Sequence, residues 1–368
     1  MARIGVIGTG WGARVQVPMF REAGLDVVAI AGHSSDKTKA AAAELGVEAV
    51  GAWRDLIERD LDLVTIVTPP SEHLEMALAV LAAGKHVMCE KPTALDTDQA
   101  EQLVGAARSQ PNRIALIDHE LRFLPSWREA RRRVPELGGI RYAEVRYASP
   151  GRGDRARAWN WWSDAVRGGG IWGAVGSHFI DAVRYLLGEI DSAHASLETV
   201  IRERPVPADI HTNSVGARSG APGEGRQDLR TVTSDDLALV NLRLTSGALV
   251  TMTFSVVASG PDEPTTMTIH CEEGALRLTG EELLFAKRGS AFERVAGNDL
   301  AKHPGNSAGG AFASGTHYLG IALKAALDDG RREALSPAAT FEDGLAQQRV
   351  LDAARRSSSN GGRWESVG

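Results

Sequence analysis

The stretch Ala2–Ala13, ARIGVIGTGWGA, decides how the first third of the chain folds. It begins with an apolar run typical of a buried strand, and the run breaks at Gly8. The spacing Gly8-x-Gly10-x-x-Ala13 then places small residues where a helix starts. In a strand–turn–helix unit such residues allow a tight turn, a close backbone approach to a pyrophosphate and anion binding by free helix N–H groups. The predicted dinucleotide-binding residues of this turn are Gly8, Thr9, Gly10, Trp11 and Gly12.

Outward from this turn, short apolar runs alternate with helical patterns up to about residue 120. This alternation is typical of βαβ units around a parallel sheet. Beyond Arg122 the apolar runs become longer and alternate with polar residues, as in LALVNLRLTSGALVTMTFSVVA at residues 237–258. That pattern predicts a mostly antiparallel sheet in a second domain. Residues 211–227, HTNSVGARSGAPGEGRQ, are rich in glycine and serine and indicate a long surface loop.

The composition excludes several classes of protein. The chain has 368 residues, which favours two domains over one. Its net charge of -6 gives no general attraction to nucleic acid or to an anionic membrane. No apolar run reaches the ~20 residues that span a bilayer. The cysteines, Cys89 and Cys271, lie far apart without a zinc-like spacing, so we expect a cytoplasmic protein with no disulfide and no metal site.

The end of the second apolar strand bears on the choice of cofactor. NAD enzymes usually carry an acidic residue there, which accepts hydrogen bonds from the adenosine ribose. In AIAGHSSDK, residues 29–37, the expected position holds Gly32, followed by His33 and Ser34. Without an acid a 2′-phosphate is not repelled, and His33, Ser34 and nearby Lys37 can bind it. The sequence therefore favours NADP over NAD, with an ordinary polar turn as the alternative.

TPPSEH, residues 68–73, follows the next apolar strand. Ligands of open α/β sheets bind at the carboxyl ends of parallel strands, so Thr68 is expected to face the cofactor. Pro69 and Pro70 lack N–H groups and can form an apolar wall beside it. His73 is predicted to reach back towards the cofactor, or else to be a polar residue of the first helical turn.

GKHVMCEKP, residues 84–92, contains the strongest catalytic candidate. Lys91 ends a strand, and Pro92 restricts its backbone. A lysine at this end of a strand points towards a bound nicotinamide, where it can contact cofactor and substrate and transfer a proton. Glu90 alternates to the other face and is expected to orient the cofactor or the loop.

The order of the motifs TPPSEH, EKP, ELRFLP (residues 120–125) and GGG…GSH…D (residues 168–181) resembles the glucose–fructose oxidoreductase/inositol dehydrogenase (Gfo/Idh/MocA) family over essentially the whole chain. The resemblance implies a Rossmann domain at residues 1–122 and an α/β domain on an open antiparallel sheet at residues 123–368, whose C-terminal helix packs back on the first domain. It also implies NAD(P)-dependent hydride transfer with a sugar, inositol or related polyol. A homodimer or homotetramer formed through the exposed sheet face is implied as well.

In this family two groups together accept the hydroxyl proton. One is the EKP lysine, here Lys91, and the other is an Asp-x-x-x-His pair on a helix of the second domain. The histidine matches His178, but the aspartate position holds Ala174, which departs from the pattern. Asp181 lies near the same helical face at i+3. Either Asp181 or substrate hydroxyls supply what the family aspartate would, or Lys91 carries out the proton transfer alone. His178 and Asp181 are therefore expected to bind substrate, with His178 also acting as acid or base.

Further substrate contacts follow from the same resemblance. Arg122 matches an arginine that is expected to pair with substrate or with backbone of the second domain. Trp161 and Trp162 precede the glycine run, and an indole face can stack on the C–H surface of a sugar. Packing in the core or in a subunit interface is the alternative for these tryptophans.

Two other functions remain open. The family resemblance extends to non-catalytic regulators that bind a dinucleotide and a protein partner, and the missing carboxylate at Ala174 favours this class. An enzyme with a tightly held cofactor could instead cycle between two sugars. Because Lys91 and His178 are both present, the dehydrogenase is the leading prediction.

Overall fold

The structure is a computed structural model, and it describes residues 1–206, 228–296 and 310–368. The segment predicted as a Gly- and Ser-rich loop lies outside the described residues. The chain forms two compact units. The first comprises Met1–Arg128 and, of the described residues, 310–346. The second comprises the remaining described residues from Glu129 onwards, including Gln347–Gly368.

This division differs from the one expected at residue 122. The helix Gly310–Asp328 belongs to the first unit, although the sequence-based division placed it in the second. Its Leu319 and Leu323 are buried in the same apolar cluster as Phe20 of the first helix. A distant segment therefore completes the core of the N-terminal unit.

The first unit is a parallel sheet flanked by helices. Its parallel strands are β1 (Arg3–Ile7), β2 (Asp26–Ala31), β3 (Glu48–Val50), β4 (Leu63–Ile66), β5 (His86–Cys89) and β6 (Ala115–Ile117). Its helices up to residue 108 are α1 (Val17–Glu22), α2 (Ser35–Leu45), α3 (Trp53–Ile57), α4 (His73–Ala82) and α5 (Thr97–Arg108). A π-helical turn, Gly12–Gln16, leads into α1.

The strand order places the predicted cofactor turn at the centre of this sheet. The order is β6-β5-β4-β1-β2-β3, with a short antiparallel strand, Ala339–Thr340, beyond β6. The order reverses between β1 and β4, which pair in parallel. At such a switch point the loops after the two strands diverge and leave a crevice for a ligand. The Rossmann topology predicted from the first strand–turn–helix unit is confirmed.

The other helices and strands follow in chain order. The helices are α6 (Pro125–Arg133), α7 (Ser177–Leu187), α8 (Gly310–Asp328) and α9 (Phe341–Ser359). The strands are β7 (Ile140–Ala148), β8 (Ile190–Glu198), β9 (Glu203–Pro205), β10 (Leu229–Thr231), β11 (Leu237–Leu244), β12 (Leu249–Ser255), β13 (Thr266–Cys271), β14 (Gly274–Thr279), β15 (Glu282–Lys287), β16 (Glu293–Ala296), β17 (Ala339–Thr340) and β18 (Glu365–Ser366).

The second unit is built on a nine-stranded sheet of order β16-β15-β14-β13-β7-β12-β11-β8-β18. Its neighbours are antiparallel except β7 and β12, which run parallel. The mostly antiparallel α/β prediction is therefore confirmed. Trp172, Phe179 and Phe254 pack together on one face, with the Phe254 centroid 6.1 Å from that of Trp172 and 5.7 Å from that of Phe179. That face carries the helix α7 on which the second set of candidate residues lies.

The described residues lack the features of a membrane span and of a metal centre. None of their helices combines the length and the apolar character that crossing a bilayer requires. No cluster of three or more His, Cys, Asp or Glu side chains in the same ranges has an arrangement suited to a metal ion. Cys89 and Cys271 are both buried thiols.

Candidate functional site

The turn after β1 has the geometry of a dinucleotide cradle. Gly8 has a φ of 131°, and a Cβ there would lie 2.2 Å from the carbonyl oxygen of Val67, so only glycine fits. A Cβ at Gly10 would meet nothing within 4 Å, which leaves that part of the turn open to an incoming group. A Cβ at Gly12 would lie 2.9 Å from Val6, because the helix packs closely on the strand. The turn therefore fits a pyrophosphate.

The two other predicted residues of the turn have defined neighbours. The half-buried indole of Trp11 packs against a small cluster formed by Val15, Met19 and Ala313. The side chain of Thr9 lies over Gly32, where a Cβ would approach Thr9 Cγ2 to 2.7 Å. The turn is thus joined directly to the end of β2, where the adenosine ribose of a dinucleotide is expected.

His33 and Ser34 follow β2 and have partners within the first unit. The Nε2 atom of His33 lies 3.0 Å from both carboxylate oxygens of Glu72. Ser34 caps α2, since its Oγ accepts a hydrogen bond of 3.5 Å from the backbone N of Lys37. The sequence singled out His33 and Ser34, but it did not predict a carboxylate beside them.

The predicted residues in and after the loop that follows β4 differ in how deeply they are buried. Thr68 and Pro69 are half-buried at the carboxyl end of the strand, and Pro70 is buried. His73 is fully buried, with Nδ1 3.0 Å from the carbonyl oxygen of Pro92 and Nε2 2.9 Å from that of Thr68. Burial lowers the pKa of His73. The ring therefore joins two loops from inside at the first residue of α4, and its contact with a cofactor stays a prediction.

Lys91 lies just beyond β5, where the sequence placed it. Its side chain is 18% exposed, and Nζ lies 3.9 Å from Oε2 of Glu90. The peptide bond from Lys91 to Pro92 is cis. Glu90 also accepts a hydrogen bond of 3.3 Å from the backbone N of Lys91, so its carboxylate orients this loop. The ammonium therefore has a carboxylate partner and remains accessible to a ligand.

A buried cluster of carboxyls lies behind Lys91. Gln16, at the end of the π-helical turn, donates from Nε2 to Glu90 Oε1 at 3.2 Å and to Asp118 Oδ2 at 2.8 Å. Burial raises the pKa of Glu90, and burial together with the charge of Glu90 raises the pKa of Asp118 well above its ordinary range. Burial also raises the pKa of Glu120 well above its usual value, and the charges of Asp118 and Glu90 add to this shift. The positive charge of Lys91 opposes all three pKa shifts.

Arg122 is buried within the first unit. Its side chain is 8% exposed, and Nη2 lies 3.1 Å from Oδ1 of Asp343. Nη1 donates to the carbonyl oxygen of Pro337 at 3.2 Å. The guanidinium therefore connects the end of the β6 loop to the start of α9 within the first unit. The contact with substrate or with backbone of the second domain stays a prediction.

In the second unit, His178 and Asp181 lie on α7 and are 7% and 3% exposed. Ala174 belongs to a π-helical turn, Trp172–Gly176, immediately before α7. Such π-turns within helices occur frequently at functional sites. A Cβ at Gly176 would lie 2.4 Å from the Trp172 ring, so this glycine is required by packing.

The glycine run before this helix is also explained by packing. A Cβ at Gly169 would lie 2.2 Å from the carbonyl oxygen of Trp162, and one at Gly170 would lie 2.4 Å from Oδ1 of Asp235. The other oxygen of Asp235 accepts a hydrogen bond of 2.7 Å from the backbone N of Trp172. Burial raises the pKa of Asp235 to about 6. This carboxyl at the start of the helix was not predicted.

The two predicted tryptophans form a half-buried pair. The ring centroids of Trp161 and Trp162 are 6.0 Å apart. The guanidinium of Arg152 lies 5.0 Å from the centroid of Trp162. Burial lowers the pKa of Arg152 to about 9, with the charges of Arg157 and Arg204 acting in the same direction. The indoles thus lie in a positively charged part of the second unit.

Three of the residues that sequence reasoning missed share one signal. Asp118 and Glu120 follow β6 closely, and Glu72 lies in the turn after β4, so each is a polar residue in a loop that follows a buried parallel strand. Such positions meet at one edge of the sheet. Gln16 had no comparable signal, since it lies on a helix between apolar residues.

Comparisons with known proteins agree with this geometry. Residues 2–117 match the model of the oxidoreductase family with an NAD-binding Rossmann fold, and residues 127–277 match the GFO/IDH/MocA C-terminal domain. The glucose-fructose oxidoreductase domain-containing protein 2 of Xenopus tropicalis is 30% identical over 382 residues, which cover 99% of this chain and 93% of the relative.

Among solved structures, an oxidoreductase domain protein from Kribbella flavida has a TM-score of 0.84 and 27% identity, with 100% of both chains covered. Levoglucosan dehydrogenase in complex with NADH has a TM-score of 0.84 at 23% identity, covering 100% of this chain and 99% of the other, and shares the fold. The family matches, the full-length relative and the dinucleotide turn lead to one conclusion. The chain belongs to the Gfo/Idh/MocA oxidoreductase family.

Proposed function

We propose that the protein is an NAD(P)-dependent dehydrogenase that transfers a hydride between nicotinamide and a CH–OH group of a sugar, inositol or related polyol. The position of Lys91 carries this proposal. Its ammonium is partly exposed at the carboxyl end of β5, a strand that pairs with β4 beside the switch point of an NAD-binding sheet. Ligands of open α/β sheets bind at that edge.

The proposed roles follow from the chemistry of alcohol oxidation. When bound, the nicotinamide supplies the hydride acceptor. In the oxidation direction the neutral amine form of Lys91 accepts the hydroxyl proton at Nζ and becomes an ammonium as the carbonyl forms. In the reverse direction that ammonium returns the proton to the substrate oxygen. Glu90 holds the lysine loop through the bond to its backbone N. His178 is proposed as the second acid or base, with Asp181, Trp161 and Trp162 as substrate-binding residues.

The proposal also covers the cofactor, the oligomeric state and the compartment of the cell. We propose a nicotinamide dinucleotide, NAD or NADP, as cofactor, held by the β1 turn and the loop after β4. A homo-oligomer in the cytoplasm remains our expectation for the assembly. The two buried thiols are compatible with a reducing compartment.

The proposal is tested by mixing the protein with NAD or NADP and a panel of sugars and polyols while reduced-nicotinamide absorbance is followed. We expect turnover with at least one substrate. Lys91→Ala should lower kcat/KM by roughly 100- to 10,000-fold, the usual contribution of a proton-transfer group, with little change in the Kd of NADH. Lys39→Ala, which removes an exposed lysine of α2, is the matched control and should retain full activity.

A second candidate function is a dinucleotide-binding regulator without catalysis. Ala174 favours it, because the aspartate of the family pattern is absent at that position. Tight NADH binding without turnover on any substrate would support the regulator, or an enzyme with a closed cofactor cycle between two sugars. Lys91→Ala with wild-type kcat/KM would contradict the role assigned to Lys91.

A further inference from the structure

The end of β2 does not carry the acidic residue that NAD enzymes usually place there. A Cβ at Gly32 would lie 2.7 Å from Cγ2 of Thr9 and 2.8 Å from Oγ1 of Thr38. Both contacts are shorter than those of real Cβ atoms, so a larger residue here would require the side chains of Thr9 and Thr38 to shift. With glycine at this position, any carboxylate for the adenosine ribose comes from another element of the sheet.

Glu72 supplies a carboxylate at this place. It lies in the turn after β4, on the other side of the switch point from β2. Its two oxygens are each 3.0 Å from Nε2 of His33, the residue directly after Gly32. The Glu72 side chain is 19% exposed, whereas that of His33 is 60% exposed, so the carboxylate is the more buried member of the pair.

Two of the three groups that the sequence offered to a 2′-phosphate, His33 and Ser34, have partners within the protein. The Nε2 atom of His33 faces Glu72, and the Oγ of Ser34 accepts a bond from the helix N-terminus. The remaining cation of this turn, Lys37, is exposed and directly follows the exposed Asp36. Among these residues, the only buried or half-buried charge is the negative one of Glu72.

We propose that Glu72, held by His33, is the residue that selects NAD over NADP. This inference rests on the proposed use of a nicotinamide dinucleotide. A carboxylate accepts hydrogen bonds from free ribose hydroxyls, and it repels a 2′-phosphate that carries about two negative charges at neutral pH. The acid that usually ends β2 is thereby provided by the loop after β4.

The test is the affinity of the full-length protein for NADH and NADPH, measured by nicotinamide fluorescence without any substrate. We expect the wild type to bind NADH at least about tenfold more tightly than NADPH, as a like-charge contact near the surface predicts. Glu72→Gln keeps the size of the side chain and removes its charge. It should shrink the NADPH-to-NADH ratio of Kd values by about tenfold, mainly through tighter NADPH binding.

Glu75→Gln is the matched control, because it removes the same charge about one turn further along the same segment, where Glu75 pairs with Arg54 and is 65% exposed. Its Kd ratio should equal that of the wild type. A wild type that prefers NADPH, or a Glu72→Gln ratio that moves no more than the Glu75→Gln ratio, would overturn the inference. If neither dinucleotide binds to the wild type, the proposed function itself fails and the inference fails with it.

Discussion

At the scale of single residues, the chain buries several carboxyl groups next to Lys91, the candidate catalytic residue. Glu90, Asp118 and Glu120 gather behind Lys91, and Gln16 donates one amide nitrogen to two of them. A buried carboxyl without a full set of donors favours its protonated form. The cluster therefore holds protons close to the lysine at pH values where surface carboxyls have lost them.

This cluster makes stability depend on pH in a defined direction. Because the pKa of Asp118 is raised well above its ordinary value, the folded state binds more protons than the unfolded state above about pH 4. The free energy of unfolding contributed by this group therefore falls as pH rises through that window. Asp118→Asn should be more stable relative to the wild type at pH 8 than at pH 4, as measured by urea unfolding.

A control on the surface separates this effect from a general change of charge. Asp98 is exposed at the start of α5, so Asp98→Asn should show little difference between the two pH values. An Asp118→Asn variant with the same stability difference from wild type at pH 4 and pH 8 would contradict the raised pKa of the buried carboxyl.

At the scale of elements, the β1–α1 turn contains two glycines with different roles. One is required by the backbone conformation, and the other is predicted to leave room for the dinucleotide. Gly8 has a positive φ and faces the carbonyl oxygen of Val67, whereas the position of a Cβ at Gly10 is open. The same substitution at the two positions should thus have different consequences.

We expect Gly8→Ala to lower the free energy of unfolding by about 2 kcal/mol or more, through backbone strain and the clash with Val67. Gly10→Ala should change stability by less than about 0.5 kcal/mol, as an open surface position does. It should nevertheless weaken NADH binding about tenfold, because the added methyl meets the pyrophosphate. Urea unfolding measures the change in stability, and NADH titration measures the change in binding. A Gly8→Ala variant that binds NADH more weakly but keeps the stability of the wild type would contradict the structural role assigned to Gly8.

At the scale of the whole molecule, the large sheet presents apolar side chains to the outside. Tyr142 on β7, Leu249 on β12 and Leu239 on β11 are 43%, 41% and 45% exposed, and the register places them on one face. Tyr142 also stacks on His270 at 4.4 Å. Exposed apolar residues grouped on a sheet face are typical of a subunit interface, in keeping with the homo-oligomer expected from the sequence.

If this face joins subunits, Leu239→Lys should shift the protein towards monomer, because a lysine would be buried without a partner. Light scattering after size-exclusion chromatography measures the mass. Leu229→Lys is the control, since Leu229 is 57% exposed on β10 outside this sheet. A Leu239→Lys variant with the mass of the wild type would argue against this interface.

Local patterns in the sequence were enough to predict the parallel and antiparallel sheets, the dinucleotide turn and the position of Lys91 at the end of β5. Each depends on residues that are near in the chain, such as the glycines after β1 or the lysine before Pro92. Hydrophobic periodicity and backbone restrictions act over a few residues, so they can be read without a structure.

The tertiary structure alone decided which polar groups meet. Gln16 and Asp118 are 102 positions apart, and Arg122 and Asp343 are 221 apart, yet both pairs are hydrogen-bonded. No short-range pattern encodes such contacts, because they depend on strand order and on a C-terminal segment that completes the first unit. For the same reason, the carboxylate of Glu72 beside His33 became visible only once β2 and β4 were placed on either side of β1.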